Sequence, residues 1–438
     1  MISPKAISGF SENLPEEQLI ENKFHEIIKE NYAKSGFTPL DTPVIERVET
    51  LTAKGADDNE VYGIHRLNGD ISDDASLGLR FDLTVPFARY VAQNQGVLSF
   101  PFKRQHIARV YRGERPQKGR YREFYQADVD IVGSESLSLF ADVEVVSTIY
   151  NSLRELDFGA FVIHINNKKF LQGFLESIQV SNISEIISII DKKDKVRNLK
   201  ELFETAGLEE GQIAQVFEYI KISNTLSSEE ILSHYSDISN RLFLEGKEEL
   251  QYLYDNLLIL GVDPEYIKID TSISRGLNYY TGTVFETFIT ESKKMGSISS
   301  GGRYENLCGN FTDKSFPGVG GSIGLSRLIA VLQAGKNPII EPKQKTTTQV
   351  LVLNTSKELF AETLSIVKNL RDENIATEIY LDDTAKFKKQ LKYADNKKIP
   401  YVVIFGEEEA QKGVVQLKKL ETGEQFEIAL GDLPNSIK

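Results

Sequence analysis

The chain has 438 residues, of which 40% are hydrophobic and 26% are charged, a composition typical of a globular protein. Its formal net charge of −13 argues against non-specific coating of nucleic acid, although it permits a local basic site. The single cysteine, Cys308, excludes a disulfide framework and predicts a reducing, cytoplasmic setting, and no run of about 18 apolar residues predicts a membrane span.

The N-terminal half begins with a predicted amphipathic helix at residues 15–32, where apolar side chains recur at three- and four-residue spacing after Pro15. The stretch that follows, SGFTPLDTPVIE, is predicted to be extended. From about residue 79 to 133, strand-like runs alternate with short loops. Because no strand–helix unit repeats there, the pattern favours an antiparallel sheet over a doubly wound one.

The second half changes character twice. Residues 168–255 are helical in period and charge pattern and predict an insertion, after which strands and glycines return and end in the helix LSRLIAVLQAG. A polar linker then leads to a predicted small α/β domain, in which strands and helices alternate before two further strands. The predicted organisation is therefore a core at 1–167 and 256–335, an insertion at 168–255, a linker at 336–348 and a C-terminal domain at 349–438.

The segment RVYRGERPQKGRYREFYQADVDIVG, residues 109–133, gathers six basic side chains between Arg109 and Arg122 in an otherwise acidic chain. Its two ends predict strands, and the glycines and proline between them predict a connecting loop longer than a tight turn. Arginine forks bind phosphate in a bidentate way, so the loop predicts an anion site. A solvated basic hairpin and a nucleic-acid-binding hairpin are the alternatives.

The strand after this loop has a polar face. Period two places Phe124, Gln126, Asp128 and Asp130 on the same side. Such a face predicts the floor of a wet pocket, with Asp130 as a candidate for holding a ligand cation and Gln126 for binding a polar ligand group. A nucleotide site under a basic loop accounts for both the arginines and the acidic face.

Two segments carry a family resemblance. RGERPQKGRYREF, residues 112–124, resembles the second signature motif of class II aminoacyl-tRNA synthetases, and ERPQKGRYREF in particular is similar to the histidyl-tRNA synthetase family. SRGLNYYTGTVFE, residues 274–286, resembles the histidine-specific signature of that family. The resemblance covers nearly the full length, and it implies an α+β fold: a six-stranded antiparallel class II catalytic sheet with a helical insertion, and a C-terminal α/β domain that binds the anticodon.

The resemblance also implies residue roles. Arg112 and Arg275 would be the catalytic arginines that flank the α-phosphate of ATP. Arg327, in a strand-to-helix segment that resembles the third class II motif, would contact the γ-phosphate. Phe124 would stack on adenine, and Glu114 would accept a hydrogen bond from the adenine amino group. The residues implied for histidine binding are Asp82, Leu83, Thr84, Gln126, Asp130, Tyr279, Tyr280 and Tyr304.

Three details of these segments lead to further expectations. Asp82 and Thr84 lie two apart in a run that is predicted to be extended, so both would point to one face; a capping or turn pair is the alternative. Asn278 stands where the family has Asp, so either a hydrogen bond replaces the lost carboxylate beside Arg275 or activity suffers. Ser326 replaces the acid expected just before Arg327, and the sequence offers no physical reason for that change.

The function that the resemblance implies is histidine–tRNA ligation. ATP, assisted by Mg²⁺, would activate L-histidine to histidyl-adenylate, and the acyl group would pass to the 3′ end of tRNA-His. A homodimer, formed through GFTPLDTPVIE as the first class II motif, would bind the acceptor end and the anticodon. The alternative is a non-catalytic relative, the regulatory subunit of ATP phosphoribosyltransferase, which would lack the C-terminal domain and the arginines.

Two smaller patterns concern the histidines and the lysines of the chain. The five histidines have no metal-ligand spacing, so no protein metal site is predicted. A C-terminal helix rich in lysine, within residues 386–398, is either a second RNA-binding patch or a solvated helix face.

Overall fold

A computed structural model describes residues 1–53, 60–68, 76–117, 119–193, 196–274, 280–342, 344–382 and 385–437. The sequence analysis makes predictions for Arg275, Asn278 and Tyr279. These three residues lie outside the described residues, as does Lys118 of the basic loop. The described chain forms two compact units, one of Met1–Ser11 with Phe24–Ile339 and the other of Glu12–Lys23 with Ile340–Lys438.

Both units contain helices and strands. The helices are α1 Pro15–Lys34, α2 Val48–Thr52, α3 Thr84–Asn94, α4 Phe140–Glu155, α5 Lys168–Ser177, α6 Ile183–Asp191, α7 Leu199–Thr205, α8 Glu210–Lys221, α9 Ser228–His234, α10 Arg241–Ile259, α11 Leu325–Ala334, α12 Phe360–Asp372, α13 Phe387–Asn396, α14 Glu407–Lys412 and α15 Leu433–Ile437. The strands are β1 Thr38–Pro39, β2 Ile45–Arg47, β3 Gly63–Ile64, β4 Leu77–Leu79, β5 Phe102–Tyr111, β6 Glu123–Val132, β7 Phe161–Asn167, β8 Ile267–Ile269, β9 Tyr280–Ile289, β10 Ser299–Tyr304, β11 Gly318–Gly324, β12 Val350–Val352, β13 Thr377–Ile379, β14 Tyr401–Ile404, β15 Val414–Lys419 and β16 Gln425–Ala429. None of the helices within these described ranges is long and apolar enough to cross a membrane.

The larger unit is built on one sheet with the strand order β1-β5-β6-β11-β10-β9-β7-β8. Its six inner strands, from β5 to β7, pair antiparallel throughout, which confirms the predicted antiparallel class II sheet. The described residues add a short parallel strand at each edge, β1 beside β5 and β8 beside β7. A three-stranded sheet, β2-β4-β3, lies in the same unit.

Glycines in β11 are required by the side chains of neighbouring strands. A Cβ built on Gly320 would lie 2.0 Å from Asp130 Oδ1, and a Cβ on Gly318 would lie 2.3 Å from the ring of Tyr304. Neither approach leaves room for even one methyl group. The glycines of β11 therefore leave space for the side chains of Asp130 and Tyr304, which pack over this strand.

One expectation from the sequence was wrong at the start of α3. The run that contains Asp82 and Thr84 is not extended, because the helix begins at Thr84 and Leu83 already has helical dihedral angles. Asp82 Oδ1 accepts a hydrogen bond of 2.9 Å from the Val85 N–H, so its carboxylate satisfies one of the unpaired donors of the first turn. The capping alternative is the one that the structure adopts.

The residues predicted as an insertion form helices α5 to α10. Aromatic stacking holds them together, with ring centroids 4.4 Å apart for Phe170 and Phe243 and 4.2 Å apart for Phe174 and Tyr219. Helices α5 and α10 cross so closely that a Cβ on Gly173 would lie 2.2 Å from the Phe243 backbone nitrogen. The insertion therefore has an aromatic core of its own.

The C-terminal residues form a five-stranded sheet with the order β13-β12-β14-β15-β16. Strands β13, β12 and β14 pair in parallel, and β15 and β16 extend the sheet antiparallel. Val350 and Val352 pack in one cluster with residues of α12, whereas Leu351 packs in another with Ala394 of α13. Strand β12 is thus buried on both faces, as expected for the centre of a parallel sheet.

Candidate active site

A cavity of about 330 Å³ opens over one face of the large sheet. Its lining comes from the loop between β5 and β6, from strands β6, β10 and β11, and from the start of α11. The lining residues are Glu60, Arg112, Glu114, Gly119, Arg120, Tyr121, Phe124, Gln126, Ser297, Ile298, Ser299, Ser300, Ser322, Gly324 and Arg327. The structure therefore brings together all the described residues that were predicted to bind ATP, namely Arg112, Glu114, Phe124 and Arg327.

Arg112 is held by two aromatic rings and a carbonyl. Its guanidinium carbon lies 4.4 Å from the centroid of the Phe81 ring and 5.1 Å from that of Phe124. Its Nε donates a 3.2 Å hydrogen bond to the Phe81 carbonyl. Stacking and this hydrogen bond fix the plane of the guanidinium at the cavity wall, which is the preorganisation that recognition of an anion needs.

The basic loop is tied back on itself. Arg120 Nη1 lies 3.5 Å from Glu114 Oε2, and Arg122 Nε donates to the Glu114 carbonyl at 3.2 Å. Backbone hydrogen bonds of 3.1 and 2.9 Å join Gln117 and Arg120 in both directions, and Gly119 has φ +75° within that turn. Part of the positive charge of the loop is therefore already paired with Glu114.

The junction between β11 and α11 explains one departure from the family pattern. Ser326 Oγ accepts a hydrogen bond of 3.0 Å from the backbone N–H of Tyr125 in β6. This bond ties the first turn of α11 to the strand that forms the pocket floor. Serine at this position therefore has a structural role, because its hydroxyl is short enough to accept from that backbone.

Arg327, on the same turn, contacts a different loop. Its Nη2 donates to the Met295 carbonyl. A Cβ on the next residue, Gly296, would lie 2.4 Å from that nitrogen, and Gly296 has φ +83°. Only glycine fits both requirements, so Gly296 lets the guanidinium of Arg327 lie against the backbone at the cavity.

A buried charged cluster adjoins the polar face of β6. Arg104 of β5 has no exposed surface, and its Nη2 lies 2.7 Å from Asp130 Oδ2 and 3.7 Å from Asp128 Oδ2. The same nitrogen donates to the Leu83 carbonyl at 3.2 Å, and Tyr304 Oη donates to Asp130 Oδ1 at 3.2 Å. Asp130 thus holds a protein cation, and a ligand cation would share its carboxylate with Arg104.

Burial controls the acidity of this cluster. It raises the pKa of Asp130 to about 7 and the pKa of Asp128 to about 6, while the charge of Arg104 acts in the opposite direction. Burial also raises the pKa of Asp82, against the hydrogen bond from Val85 and the charge of Arg112. Two carboxylates that share one buried guanidinium favour retention of a proton near neutral pH.

The residues predicted for histidine binding divide into two groups. Gln126 lines the cavity and donates a 3.0 Å hydrogen bond to Ser322 Oγ. The other described members do not line it. Leu83 is wholly buried in a cluster with Ala108 and Val110. The others are Asp82, which caps α3, Thr84 at the start of that helix, Asp130 in the charged cluster, and Tyr280 and Tyr304 in an apolar cluster around Phe87.

Sequence reasoning missed Arg104 and assigned no role to Asp128. The available signal was the alternation in FKRQHIARVY, where Arg104 and His106 lie on the same buried side of the strand as Ala108 and Val110. His106 Nε2 lies 2.8 Å from Asp41 Oδ1, and burial lowers the pKa of His106 to about 4. A charged side chain at a buried position, such as that of Arg104, needs a partner of opposite charge. For Arg104 that partner is Asp130, on the adjacent strand β6.

An antiparallel sheet that supports an arginine-lined cavity between a hairpin loop and a strand–helix junction is the catalytic architecture of the class II aminoacyl-tRNA synthetases. Residues 9–328 match the family model described as histidyl-tRNA synthetase, and residues 349–438 match the one described as anticodon binding domain. The chain belongs to the histidyl-tRNA synthetase family.

Individual relatives agree with this assignment. The chain is 42% identical to a histidine–tRNA ligase from Clostridium tetani, with 100% of this chain and 99% of the relative covered. It is 39% identical to one from Finegoldia magna, with 100% of both covered. The crystal structure of histidyl-tRNA synthetase from Nostoc sp. PCC 7120 superposes with a TM-score of 0.91 at 37% identity, covering 100% of this chain and 99% of that one.

A more distant structure shares the fold alone. It is described as an ATP phosphoribosyltransferase regulatory subunit/histidyl-tRNA synthetase from Bacillus halodurans, and it superposes with a TM-score of 0.76 at 20% identity. The alignment covers 92% of this chain and 98% of that chain.

Proposed function

We propose that this chain performs the reaction of its family, the ATP-dependent ligation of histidine to tRNA, at the cavity over the large sheet. In the first step the histidine carboxylate attacks the α-phosphorus of ATP, and pyrophosphate leaves. In the second step a ribose hydroxyl at the 3′ end of tRNA-His attacks the acyl carbon of histidyl-adenylate, and AMP leaves. The observation that carries this proposal is the presence of Arg112 and Arg327 on the wall of one cavity of about 330 Å³.

The cavity residues suit a bound nucleotide. Arg112 would contact the α-phosphate and Arg327 the γ-phosphate, so that fixed positive charge stands where negative charge accumulates in the transition state. Phe124, whose ring already stacks on Arg112, would support adenine, and Glu114 would accept from the adenine amino group. Little proton transfer is needed in this step, so position and charge supply most of the rate.

Arg275 is proposed as the second arginine at the α-phosphate. It follows Ser274 directly in the sequence, at the start of RGLNYYTGTVFE. Asn278 in the same segment would keep a hydrogen bond to Arg275 in place of the acid of the family. The prediction attached to these residues is that Arg275→Ala abolishes adenylate formation.

Histidine selection would come from polar groups that imidazole satisfies and other side chains do not. Gln126 Oε1 is buried and accepts no hydrogen bond from any described residue, so a donor on the ligand would supply the hydrogen bond that this oxygen lacks. An unmatched amino acid would leave such groups unpaired, which costs roughly 10⁴-fold or more in discrimination. The residues proposed for this pocket are Asp82, Leu83, Thr84, Gln126, Asp130, Tyr279, Tyr280 and Tyr304.

Mg²⁺ is proposed to enter with ATP. The described residues contain no group of three or more His, Cys, Asp or Glu side chains that could hold a metal ion by themselves. The carboxylate of Glu60 lines the cavity and would suit a hard cation that keeps most of its bonds to phosphate and water. When bound, Mg²⁺ would neutralise charge on the phosphates that leave as pyrophosphate.

The assembly and domain roles are also proposals. The segment that resembles the first class II motif exposes Val44 and Ile45, at 39% and 46% of their surface, which supports a homodimer through this region. Residues 1–167 and 256–335 would form the catalytic core, 168–255 the insertion, 336–348 the linker and 349–438 the anticodon-binding domain. A cytoplasmic location is in keeping with tRNA as the substrate and with the single, buried Cys308.

The regulatory-subunit alternative has less support. That function predicts a lost C-terminal domain and eroded arginines, whereas residues 349–438 match an anticodon binding domain and Arg112 and Arg327 line the cavity. A charging assay separates the two. Purified chain, ATP, Mg²⁺, labelled histidine and a tRNA-His transcript should yield histidyl-tRNA, and a folded chain that forms neither adenylate nor charged tRNA would favour the regulatory role.

A further inference from the structure

We propose that the helical insertion positions the backbone leading into Arg275, through Ser223, the Tyr219 carbonyl and Lys193. The proposal rests on the proposed function, and specifically on the role of Arg275 in adenylate formation. It makes these insertion residues positioning residues for the first chemical step, in addition to whatever the insertion binds.

Residues 270–274 connect β8 to Arg275, and we call this segment the lead-in. Its side chains are buried, with Thr271 at 0% and Ser274 at 4% exposure. Loops usually run over the surface because buried backbone groups need partners. A buried segment of this kind is therefore held by specific hydrogen bonds, and whatever makes those bonds fixes the backbone as far as Ser274.

The catalytic core holds one side of this lead-in. Asn166 of β7 donates from Nδ2 to the carbonyls of Thr271 at 3.2 Å and Ile273 at 2.8 Å. His164 Nδ1, also on β7, lies 2.6 Å from Asp270 Oδ2. Strand β7 lies inside the sheet, so this side of the lead-in is fixed to the core.

The insertion holds the other side. Thr271 Oγ1 donates to the Tyr219 carbonyl at 2.5 Å, and Ser223 Oγ donates to Asp270 Oδ1 at 3.0 Å. Lys193 Nζ donates to the Ser272 carbonyl at 2.9 Å. These groups come from the end of α8, from the short 3-10 turn after it, and from the turn after α6.

The part of the insertion that contacts the lead-in is itself rigid. Tyr219 is fully buried, and its ring stacks on Phe174 in the aromatic core of the insertion. A movement of α8 would therefore carry the Tyr219 carbonyl and Ser223 together. Because Thr271 is hydrogen-bonded to the Tyr219 carbonyl and Asp270 to Ser223, such a movement would pull on the lead-in to Arg275.

Asp270 is the centre of this network. Besides His164 and Ser223, its carboxylate accepts from the backbone N–H and the hydroxyl of Ser272 at 2.9 and 2.6 Å. Burial acts to raise the pKa of Asp270, but the hydrogen bonds from His164 and Ser272 prevail and hold it well below its usual range. The carboxylate stays ionised, and a buried ionised group penalises any loss of its donors.

The kinetic consequence follows from geometry. A catalytic arginine displaced by a fraction of an ångström binds ground-state ATP nearly as well, but it stabilises the transition state less. Loosening the insertion side should therefore lower kcat for adenylate formation and leave the KM values for ATP and histidine almost unchanged.

The test uses Ser223→Ala and Thr271→Val in the full chain, assayed by histidine-dependent exchange of pyrophosphate into ATP. Each should lower kcat by about 10-fold, which corresponds to one hydrogen bond, with both KM values within about two-fold of the unsubstituted chain. Thr225→Val is the matched control, because Thr225 Oγ1 donates to the Ile222 carbonyl inside the insertion at 3.0 Å. It should leave kcat unchanged, and the thermal midpoints of all variants would show whether they fold.

A second arm asks whether the effect passes through Arg275. Thr271→Val is measured alone and combined with Arg275→Lys, which keeps a charge and a measurable rate, by single-turnover adenylate formation at high enzyme concentration. The proposal expects little further loss in the double variant, because the guanidinium being positioned is gone. An equal loss in both backgrounds, or a kcat unchanged by Ser223→Ala and Thr271→Val in folded protein, would overturn it while leaving the proposed function intact. Absence of exchange by the unsubstituted chain would overturn both.

Discussion

Arg104 carries a full charge with none of its side chain exposed, and its compensation comes from the adjacent strand. Strand register places Arg104 opposite Asp130, while Asp128 lies opposite His106 two pairs further along. The guanidinium is 2.7 Å from Asp130 and 3.7 Å from Asp128, so the two carboxylates make unequal contributions. Asp130 is the closer ion-pair partner and Asp128 a second, more distant negative charge, while burial disfavours the charged form of both carboxylates.

This inequality predicts different costs for two similar substitutions. Asp130→Asn leaves Arg104 buried without its ion pair and should lower the free energy of unfolding by about 3 kcal/mol or more. Asp128→Asn keeps the shape and removes a carboxylate that lies 3.7 Å from Arg104 Nη2, beyond hydrogen-bond distance, so its cost should stay below about 1 kcal/mol. Denaturant unfolding of both variants measures the difference, and equal losses would contradict the assignment of Asp130 as the partner.

Arg112 is expected to be sensitive even to lysine. Arg112→Lys keeps the charge but loses the planar fork that stacks between Phe81 and Phe124, so pyrophosphate exchange should fall by at least about 100-fold in kcat/KM. Arg109→Lys is the matched control, since Arg109 lies near the end of β5, three residues before Arg112, and pairs with Glu123 at 3.0 Å and lies over the Tyr125 ring at 5.0 Å without lining the cavity. Comparable losses in the two variants would mean that stacking at the cavity wall is not what Arg112 contributes.

At the scale of elements, the glycines of β11 determine how closely the strands and their side chains pack. Gly320→Ala would place a methyl carbon 2.0 Å from Asp130 Oδ1, and Asp130 cannot retreat because Arg104 and Tyr304 hold it. The substitution should destabilise the chain by about 1–3 kcal/mol.

A glycine in open space provides the comparison. Gly211 in α8 has nothing within 4 Å of a built Cβ, so Gly211→Ala should be neutral or stabilise the chain by up to about 1 kcal/mol. Thermal unfolding of both variants tests the packing argument. A Gly320→Ala protein as stable as the unsubstituted chain would show that the strand can shift to admit the methyl group.

The elements differ in how far their sequence determines them. Strands β5 and β6 were predicted because apolar and polar residues alternate along them. The helices of the insertion were predicted because their apolar residues recur with a 3.6-residue period over many residues. Helix α3 was misjudged because a side-chain cap at Asp82, rather than its period, sets where it begins. Helix α4 was not predicted, since most of its side chains are buried and its centre is rich in β-branched residues, which are weak helix formers.

The candidate site shows the same limit. Phe124 and Gln126 were assigned to one face by alternation along a single strand, and both line the cavity. The pairing of Arg104 with Asp130 depends on the register between β5 and β6, and the loop that joins these two strands is too long for its sequence to fix that register. The contact of Ser326 with the Tyr125 backbone joins residues about 200 positions apart.

At the scale of the whole molecule, the two units are proposed to divide the work, with chemistry in the larger and anticodon binding in the smaller. The lysine-rich helix α13 belongs to the smaller unit, and part of its charge is paired there. Lys389 lies 2.9 Å from Asp382, and Lys397 lies 2.6 Å from Glu378. Lys388 and Lys392 are exposed and remain available to contact phosphate.

This division predicts a separation of effects. Lys388→Glu combined with Lys392→Glu should raise the KM for tRNA-His about 10-fold and weaken its dependence on salt, because two phosphate contacts are lost. Pyrophosphate exchange, which needs no tRNA, should stay unchanged. Lys357→Glu, an exposed lysine before α12, serves as the control for charge alone. An unchanged KM for tRNA would identify the lysine face as a merely solvated surface.

The most direct test of the central claim is amino-acid-dependent exchange of pyrophosphate into ATP, measured with each of the twenty amino acids in turn. The account predicts exchange with histidine alone, which would establish activation and specificity in one assay and show that Asn278 is tolerated. Exchange with a different amino acid would contradict the assigned pocket. Absence of exchange with every amino acid, from folded chain, would contradict the catalytic function itself.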